Sequence, residues 1–246
     1  MKLLVSVRSV EEALQAADAG VDFIDLKEPG QGALGGLPVA TIAAIVAALR
    51  HGGGHAISAT IGDVPMQDGE RIARCVEAVG GCGVDYVKVG IERAAAAPAV
   101  LEALAACGRA VVPVFLADRG LVPAHVARAC ALRFPAVMVD TQDKLAGSLF
   151  EVLPMDELRR FVATAREAGT LVGVAGALRA AHAPLLHELA PDFAGFRTAV
   201  CVGGRSAALD PARLRELMAC MQAQGHQAPY RPPPSSSMRT RSTSLQ

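Results

Sequence analysis

Short apolar runs rich in β-branched residues alternate with alanine-rich segments eight times before residue 225. Strands buried on both faces are continuous apolar runs, and helices between them imply a parallel sheet. The predicted strands are Lys2–Val7, Asp22–Leu26, His55–Ile61, Asp85–Val89, Ala110–Leu116, Ala136–Asp140, Leu171–Ala175 and Phe193–Arg197. The predicted helices are 9–19, 38–50, 68–79, 94–106, 123–132, 155–168, 178–189 and 210–222.

Eight strand–helix units of this size are typical of a closed (β/α)8 TIM barrel. The same alternation of strands and helices is also compatible with an open, doubly wound sheet. Aspartates at three helix starts are expected to act as N-caps, namely Asp68, Asp156 and Asp210. The sequence therefore predicts an α/β protein with a single barrel domain over residues 1–224.

The segment 225–246 has a different composition, GHQAPYRPPPSSSMRTRSTSLQ, which is rich in proline, serine and arginine. It has no apolar periodicity, so it cannot bury enough surface to offset the entropy lost on ordering. We expect a disordered tail, and a basic interaction tail is the alternative.

Composition excludes several function classes. The formal net charge is +0, and the chain has no tryptophan and 4% aromatic residues, which argues against nucleic acid or an anionic membrane as partner. No signal peptide and no apolar run of membrane-spanning length is present, so we expect a cytoplasmic protein. The six cysteines lack CxxC spacing and the six histidines are scattered, so free thiols and no metal are expected.

Lysine is rare in this chain, and its positions are informative. Among the 24 basic residues only four are lysine: Lys2, Lys27, Lys88 and Lys144. Arginine serves as a surface charge, but it cannot lose its proton and act as an amine nucleophile or base. The last three lysines follow apolar runs, which suggests that an amine is needed where predicted strands end.

The ends of alternate strands bring these lysines to one place. In a TIM barrel the active site lies at the C-terminal ends of the strands, and side chains two residues apart point the same way. Strand 2 carries Asp25 and Lys27, strand 4 carries Lys88, and strand 6 ends at Asp140, with Lys144 in the loop that follows. Each lysine could instead be a solvated surface charge with an acidic neighbour.

Clustered amines have a chemical purpose. A lysine must be neutral to attack a carbonyl and form a Schiff base, and burial or a nearby like charge lowers its pKa. Two carboxylates, those of Asp25 and Asp140, could balance the charge, orient the amines or transfer protons.

The loops after strands 7 and 8 are the recurrent phosphate site of this fold. Glycines allow backbone N–H groups to approach an anion, and arginine adds charge. The candidates are Gly176, Arg197, Gly203, Gly204 and Arg205. Glycine pairs are also ordinary turn formers. A further GxGxxG pattern at 30–35 is not expected to bind a dinucleotide, because Pro38 indicates that the helix begins later.

The residues that carry these predictions resemble the (5-formylfuran-3-yl)methyl phosphate synthase family, also named 4-(hydroxymethyl)-2-furancarboxaldehyde-phosphate synthases, which form the furan of methanofuran. The resemblance covers about residues 1–222. It rests on DLKEPGQGALGG from Asp25, DYVKVG from Asp85, VDTQDK from Val139 and GFRTAVCVGGR from Gly195. The tail is a departure from the family.

The resemblance implies a lyase that condenses two molecules of glyceraldehyde 3-phosphate with loss of phosphate and water. It implies that Lys27 forms the Schiff base and that Lys88 is the proton acceptor. Three further positions match catalytic positions of the family: Asp25, Asp140 and Lys144. It implies no metal and no organic cofactor, and a context in one-carbon metabolism.

Three other functions remain open on the sequence alone. The first is another Schiff-base aldolase acting on a different sugar phosphate, and the second is a metal-free sugar-phosphate isomerase. The third is a non-catalytic barrel that binds or assembles. Barrels of this size often associate, so we expect a homo-oligomer.

Overall fold

The structure, a computed structural model, describes residues 1–32, 34–52, 54–143 and 147–224, with the side chains of 223 and 224 excepted. Eight parallel strands form a closed barrel in chain order, and β1 pairs with β8 to close it. The strands are β1 Lys2–Val7, β2 Phe23–Leu26, β3 Ala56–Thr60, β4 Tyr86–Ile91, β5 Val111–Leu116, β6 Ala136–Asp140, β7 Leu171–Val174 and β8 Phe193–Phe196. The closure confirms the predicted TIM barrel and rules out the open sheet.

Helices follow the strands and surround the barrel. They are α1 Val10–Asp18, α2 Val39–Gly52, α3 Gly69–Gly80, α4 Ala97–Ala106, α5 Pro123–Ala131, α6 Leu149–Val152, α7 Met155–Glu167, α8 Ala183–Leu189 and α9 Pro211–Gln224. The short α6 was not predicted, and α8 begins five residues later than expected because a 3-10 turn, Ala180–His182, precedes it. Among the described helices, none combines the length and the apolar character needed to span a bilayer.

Two of the three predicted caps are confirmed. Asp68 accepts a hydrogen bond from the backbone N–H of Arg71, and Asp210 accepts from the N–H groups of Ala212 and Arg213. The prediction for Asp156 is wrong, because Pro154 holds the N-cap position of α7. Asp156 lies in the first turn instead, where its carboxylate pairs with Arg159.

Each strand divides its side chains between two environments. Residues facing the helices form the large apolar core, which includes Val5, Ile24 and Val139. Residues facing the barrel interior form a smaller cluster, which includes Leu4, Val112 and Met138. This interior is apolar toward the N-terminal ends of the strands and polar toward their C-terminal ends, so the charged residues gather at one mouth.

Aromatic rings fill the N-terminal end of the interior. The ring centroids of Phe23 and Phe193 are 5.5 Å apart. Phe193 fits only because its neighbour on β7 is Gly173, where a Cβ atom would overlap the Phe193 ring. The two rings pack at the floor of the barrel, where a small cavity lined by Phe23 and Phe193 extends inward to Lys88.

We expect Gly173→Ala to destabilise the protein by about 1–3 kcal/mol, because the added methyl overpacks the barrel interior. Phe193→Leu should relieve the clash, so the double variant should lose less stability than the two single losses added together. Urea unfolding followed by circular dichroism measures the stability of the single variants and of the double variant. Gly69→Ala is the matched control, since no atom lies within 4 Å of its added Cβ. Strictly additive losses would contradict this packing.

The loop between β2 and α2 covers the C-terminal mouth. Leu34 lies in it, is 4% exposed, and packs with the interior cluster against Gly90, where a Cβ atom would overlap it. Thr60 Oγ1 donates to the carbonyl of Gly35 at 2.9 Å. Leu34 and Gly35, at the end of the GxGxxG segment, are thus buried, a 3-10 turn at Pro29–Gln31 precedes them, and α2 begins only at Val39.

Candidate active site

Alternate strands deliver four charged side chains to the C-terminal mouth. Asp25 lies on β2 and Lys27 follows directly, Lys88 lies on β4, and Asp140 ends β6. All four are buried, with exposures of 0%, 6%, 4% and 2% respectively, and all four line one cavity. The structure thus brings together four of the five residues predicted as catalytic. The fifth, Lys144, lies outside the described residues.

Asp25 is the centre of a hydrogen-bond network. Its Oδ1 accepts from Lys88 Nζ at 2.9 Å and from Ser58 Oγ at 2.7 Å, and its Oδ2 accepts from Ser6 Oγ at 3.1 Å. The three donors come from three different strands, so the carboxylate is fixed by the barrel itself. Such a buried charge is tolerable only because it is paired and hydrogen-bonded.

The network keeps Asp25 ionised. Burial raises the pKa of this carboxyl, but the charges of Lys88 and Lys27 and the hydrogen bond from Ser58 outweigh burial and leave the pKa below its ordinary value of 3.8. Asp25 is therefore an anion at neutral pH, and the Lys88 side chain donates a hydrogen bond to it.

The second pair is looser. Lys27 Nζ lies 3.8 Å from Asp140 Oδ2, which is an ion-pair distance and longer than a hydrogen bond. The other oxygen of Asp140 accepts from the backbone N–H of Thr141 at 2.8 Å, which orients the carboxylate. These two lysine–carboxylate distances therefore differ: 2.9 Å for Lys88 and Asp25, and 3.8 Å for Lys27 and Asp140.

Two depressed carboxyl pKa values predict acid sensitivity. Burial raises the pKa of Glu12, but its hydrogen bonds and ion pair with Arg197 bring it below 4.5, and Asp25 lies below 3.8. Because the unfolded chain binds these protons first, the stabilisation is complete above the ordinary values and is lost as pH falls through the lower folded values. The free energy of unfolding, measured by urea and circular dichroism from pH 7 downward, should fall in that acid range. A gain in stability on acidification there would contradict these assignments.

The loops after β7 and β8 form the opposite wall of the cavity. Gly176, Ala177 and Thr198 line it. Within the described part of the chain, their backbone N–H groups meet no protein acceptor. Gly176 has a φ of +123°, and a Cβ atom there would come within 2.9 Å of Thr141. Unpaired N–H groups beside a cavity are suited to an anion.

The five predicted phosphate residues have different positions. Gly176, Arg197 and Arg205 line the cavity, whereas Gly203 and Gly204 do not and instead form an exposed turn with positive φ before Arg205. Arg205 Nη2 donates to the carbonyl of Gly32 at 2.7 Å, and it has no ion-pair partner among the described residues. Burial lowers the pKa of Arg205, and the negative charge of Asp140 opposes that shift.

Arg197 has a different environment from Arg205. It is 6% exposed, and its guanidinium is held by a carboxylate and three backbone carbonyl groups of the protein. All five of its N–H hydrogens have acceptors, so contact with a phosphate would require one of these bonds to break. Direct phosphate binding by Arg197 stays a prediction, and the geometry favours Arg205 for that contact.

Three residues of the site were missed in the sequence. Ser6 and Ser58 interrupt apolar strands on the interior face, and this alternation was the available signal. Glu12 had a misleading signal, because Ser9 and Glu12 match a capping box. Ser9 Oγ does accept from the Glu12 N–H at 3.2 Å, but the Glu12 carboxylate turns inward to Arg197.

The closed eight-stranded barrel, with lysines and carboxylates buried at its C-terminal mouth, defines the structural class: a (β/α)8 barrel with a candidate active site. Solved structures agree on the fold. Phosphoribosyl anthranilate isomerase from Thermus thermophilus aligns with a TM-score of 0.66 over 91% of this chain and 100% of that one, at 17% identity. At that identity the likeness concerns the fold alone.

Sequence comparisons give the family. The model of 4-HFC-P synthase matches residues 3–218. The chain is 34% identical over 233 residues to the (5-formylfuran-3-yl)methyl phosphate synthase of Archaeoglobus fulgidus, covering 89% of this chain and 98% of the relative. It is 39% identical over 224 residues to a Methylorubrum extorquens protein provisionally given the same name, covering 90% and 92%. The chain belongs to the 4-HFC-P synthase family.

Proposed function

We propose that this enzyme is a lyase that condenses two molecules of glyceraldehyde 3-phosphate into (5-formylfuran-3-yl)methyl phosphate in methanofuran biosynthesis. Membership of the family supports the reaction. The observation that carries the chemistry is the buried set of two lysines and two carboxylates at the mouth of the barrel. These groups supply an amine, a proton donor and fixed negative charge, and the proposed reaction uses no organic cofactor.

Lys27 is the amine that reacts. Lys88 Nζ donates to Asp25 Oδ1 at 2.9 Å, and Lys27 Nζ lies 3.8 Å from Asp140 Oδ2 in the same cavity. The positive charge of Lys88 in the same buried cavity disfavours a second charge on Lys27. In its neutral form Lys27 attacks the aldehyde carbon of the first triose phosphate and forms a carbinolamine.

Lys88 then acts twice on the same intermediate. Its ammonium donates a proton to the hydroxyl group of the carbinolamine, which leaves as water and gives the iminium. The resulting neutral amine removes the proton from the adjacent carbon, and the electrons of that C–H bond form the enamine. Lys88 ends as the ammonium again, next to Asp25, so this part of the cycle closes.

The second triose phosphate loses its C2 proton and, with it, its phosphate, which leaves 2-hydroxypropenal. The enamine carbon adds to the terminal carbon of this alkene and forms the new carbon–carbon bond. The C2 oxygen of the second triose then closes the ring on the iminium carbon, loss of the hydroxyl group next to that carbon gives the second water molecule, and departure of the Lys27 amine completes the aromatic ring. The balance holds without an oxidant or reductant, because the aldehyde of the second triose is retained as the formyl group and one phosphate and two water molecules leave in total. Formation of the aromatic ring opposes the reverse reaction.

The opposite wall holds a substrate phosphate. Backbone N–H groups of Gly176, Ala177 and Thr198 line the cavity, and Arg205 adds a permanent positive charge. A triose phosphate bound there by its anionic end would extend its aldehyde across the cavity toward the lysines. This arrangement is part of the proposal, and it gives Arg205 the contact to phosphate.

One incubation tests the reaction. The protein with glyceraldehyde 3-phosphate should produce the ultraviolet absorbance of a furan aldehyde and the mass of the furan phosphate. A different aldol product would indicate another Schiff-base aldolase, and dihydroxyacetone phosphate alone would indicate an isomerase. With neither product formed, the barrel would be a binding or assembly module and the proposal would fail.

A further inference from the structure

A buried ion pair lies behind the cavity wall. Glu12, in the first turn of α1, is 5% exposed, and Arg197, after β8, is 6% exposed. Arg197 Nη1 donates to Glu12 Oε2 at 2.6 Å, and Nη2 donates to Oε1 at 3.1 Å. The pair is thus bidentate, and the two residues are 185 positions apart in the chain.

This pair fixes the segment that carries Arg205. Arg197 Nε donates to the carbonyl of Arg205 at 2.8 Å, and Nη2 donates to the carbonyl of Ala207 at 2.5 Å. The backbone N–H of Leu209 donates to Glu12 Oε1 at 3.2 Å. Three points between residues 205 and 209 are therefore tied to the same two side chains.

The ends of the segment have further ties, since Cys201 and Leu209 form a β-bridge and the N–H of Ala207 donates to the carbonyl of Gly204 at 3.0 Å. Between these ends residues 202–204 and 206 are exposed, and Gly203 and Gly204 lack side chains that could pack. Arg197 also donates to the carbonyl of Ser6 at 3.1 Å, and the N–H of Arg8 donates to Glu12 at 3.0 Å, so the pair anchors the segment to β1 and α1. Rigid scaffold elements thereby set the position of a loop side chain.

We propose that Glu12 and Arg197 are positioning residues that aim Arg205 at the substrate phosphate. Arg197 has no N–H hydrogen left for the ligand, whereas Arg205 lines the cavity and has a single backbone carbonyl as its hydrogen-bond partner among the described residues. The two arginines have different roles: Arg197 holds the loop, and Arg205 binds the anion. This inference rests on the proposed phosphate substrate.

The test is a double-mutant cycle. Glu12→Gln keeps the shape of the side chain but places an amide against the Arg197 donors, so the loop should shift. KM for glyceraldehyde 3-phosphate should rise about tenfold, and kcat should change by less than about threefold. In an Arg205→Met background the same change should have less than about a twofold effect, because the side chain that it positions is gone. Equal effects in both backgrounds would overturn the proposal.

Two further variants distinguish the positioning role from a general loss of structure. Arg197→Lys keeps a charge beside Glu12 but cannot hold the carbonyls of residues 205 and 207, so it should raise KM like Glu12→Gln. Glu102→Gln removes an exposed pair with Arg128 and should leave KM unchanged. Arg197→Lys with wild-type KM would also overturn the proposal.

A parallel measurement separates this inference from the proposed reaction. The affinity for inorganic phosphate, measured by titration calorimetry, should fall in Glu12→Gln and show the same non-additivity with Arg205→Met. If the wild type binds phosphate in this manner but forms no furan, the reaction is wrong and the positioning role stands. If the wild type does not bind phosphate, or the losses are additive, the positioning role is wrong.

Discussion

Lys27→Arg should abolish furan formation, with kcat/KM lower by roughly 10⁴-fold or more. The substitution keeps a positive charge beside Asp140 but removes the amine, since a guanidinium does not form the Schiff base. The loss should appear in steady-state assays of the furan product. Substrate binding should change far less, because the phosphate wall is untouched.

Lys2→Arg is the matched control for this variant. Lys2 begins β1 at the opposite end of the barrel, where it is exposed and lies over the Phe23 ring. The same chemical change there should leave kcat/KM within about twofold of wild type, as for a surface substitution away from the site. A Lys27→Arg enzyme that retains a tenth or more of the activity would exclude covalent catalysis by this residue.

Asp25→Asn should both destabilise the barrel and inactivate it. Removal of one partner leaves the buried Lys88 ammonium without its carboxylate, which costs about 3–5 kcal/mol in comparable buried pairs. Adding Lys88→Met removes the stranded charge, so the double variant should recover much of that stability. Activity should stay low in both, because the proposed proton donor is misplaced or absent.

Urea unfolding followed by circular dichroism gives the stabilities, since the chain has no tryptophan for fluorescence. Glu102→Gln breaks the exposed pair with Arg128 and should leave stability nearly unchanged. If Asp25→Asn proves as stable as wild type, the Asp25–Lys88 pair does not carry the energetic role assigned to it. Full activity in the double variant would likewise contradict the role of Lys88.

The barrel could be predicted from the sequence because the patterns that identify its strands lie within short, continuous segments of the chain. Strands buried on both faces require continuous apolar runs, so β1 and β6 were located at their observed bounds and the others within about two residues. The period of two along a strand placed Asp25 and Lys27 on one side, and the shared edge of parallel strands brought Lys88 and Asp140 to them. These inferences need no knowledge of pairing between distant residues.

The remaining features depend on register and on distant partners. The hydrogen bond from Ser58 to Asp25 follows from how β3 is staggered against β2, which the sequence does not specify. The sequence around Glu12 predicts a helix cap, whereas its ion-pair partner Arg197 is 185 residues away in the chain. The burial of Leu34 is similar, because only the assembled barrel offers Gly90 as its contact.

Borohydride trapping tests the central claim most directly. The protein is incubated with glyceraldehyde 3-phosphate, reduced with sodium borohydride, digested and mapped by mass spectrometry. We predict a reduced triose phosphate adduct on Lys27 that is absent without substrate and absent in Lys27→Arg. An active preparation that yields no adduct, or one whose adduct lies on another lysine, would contradict the account.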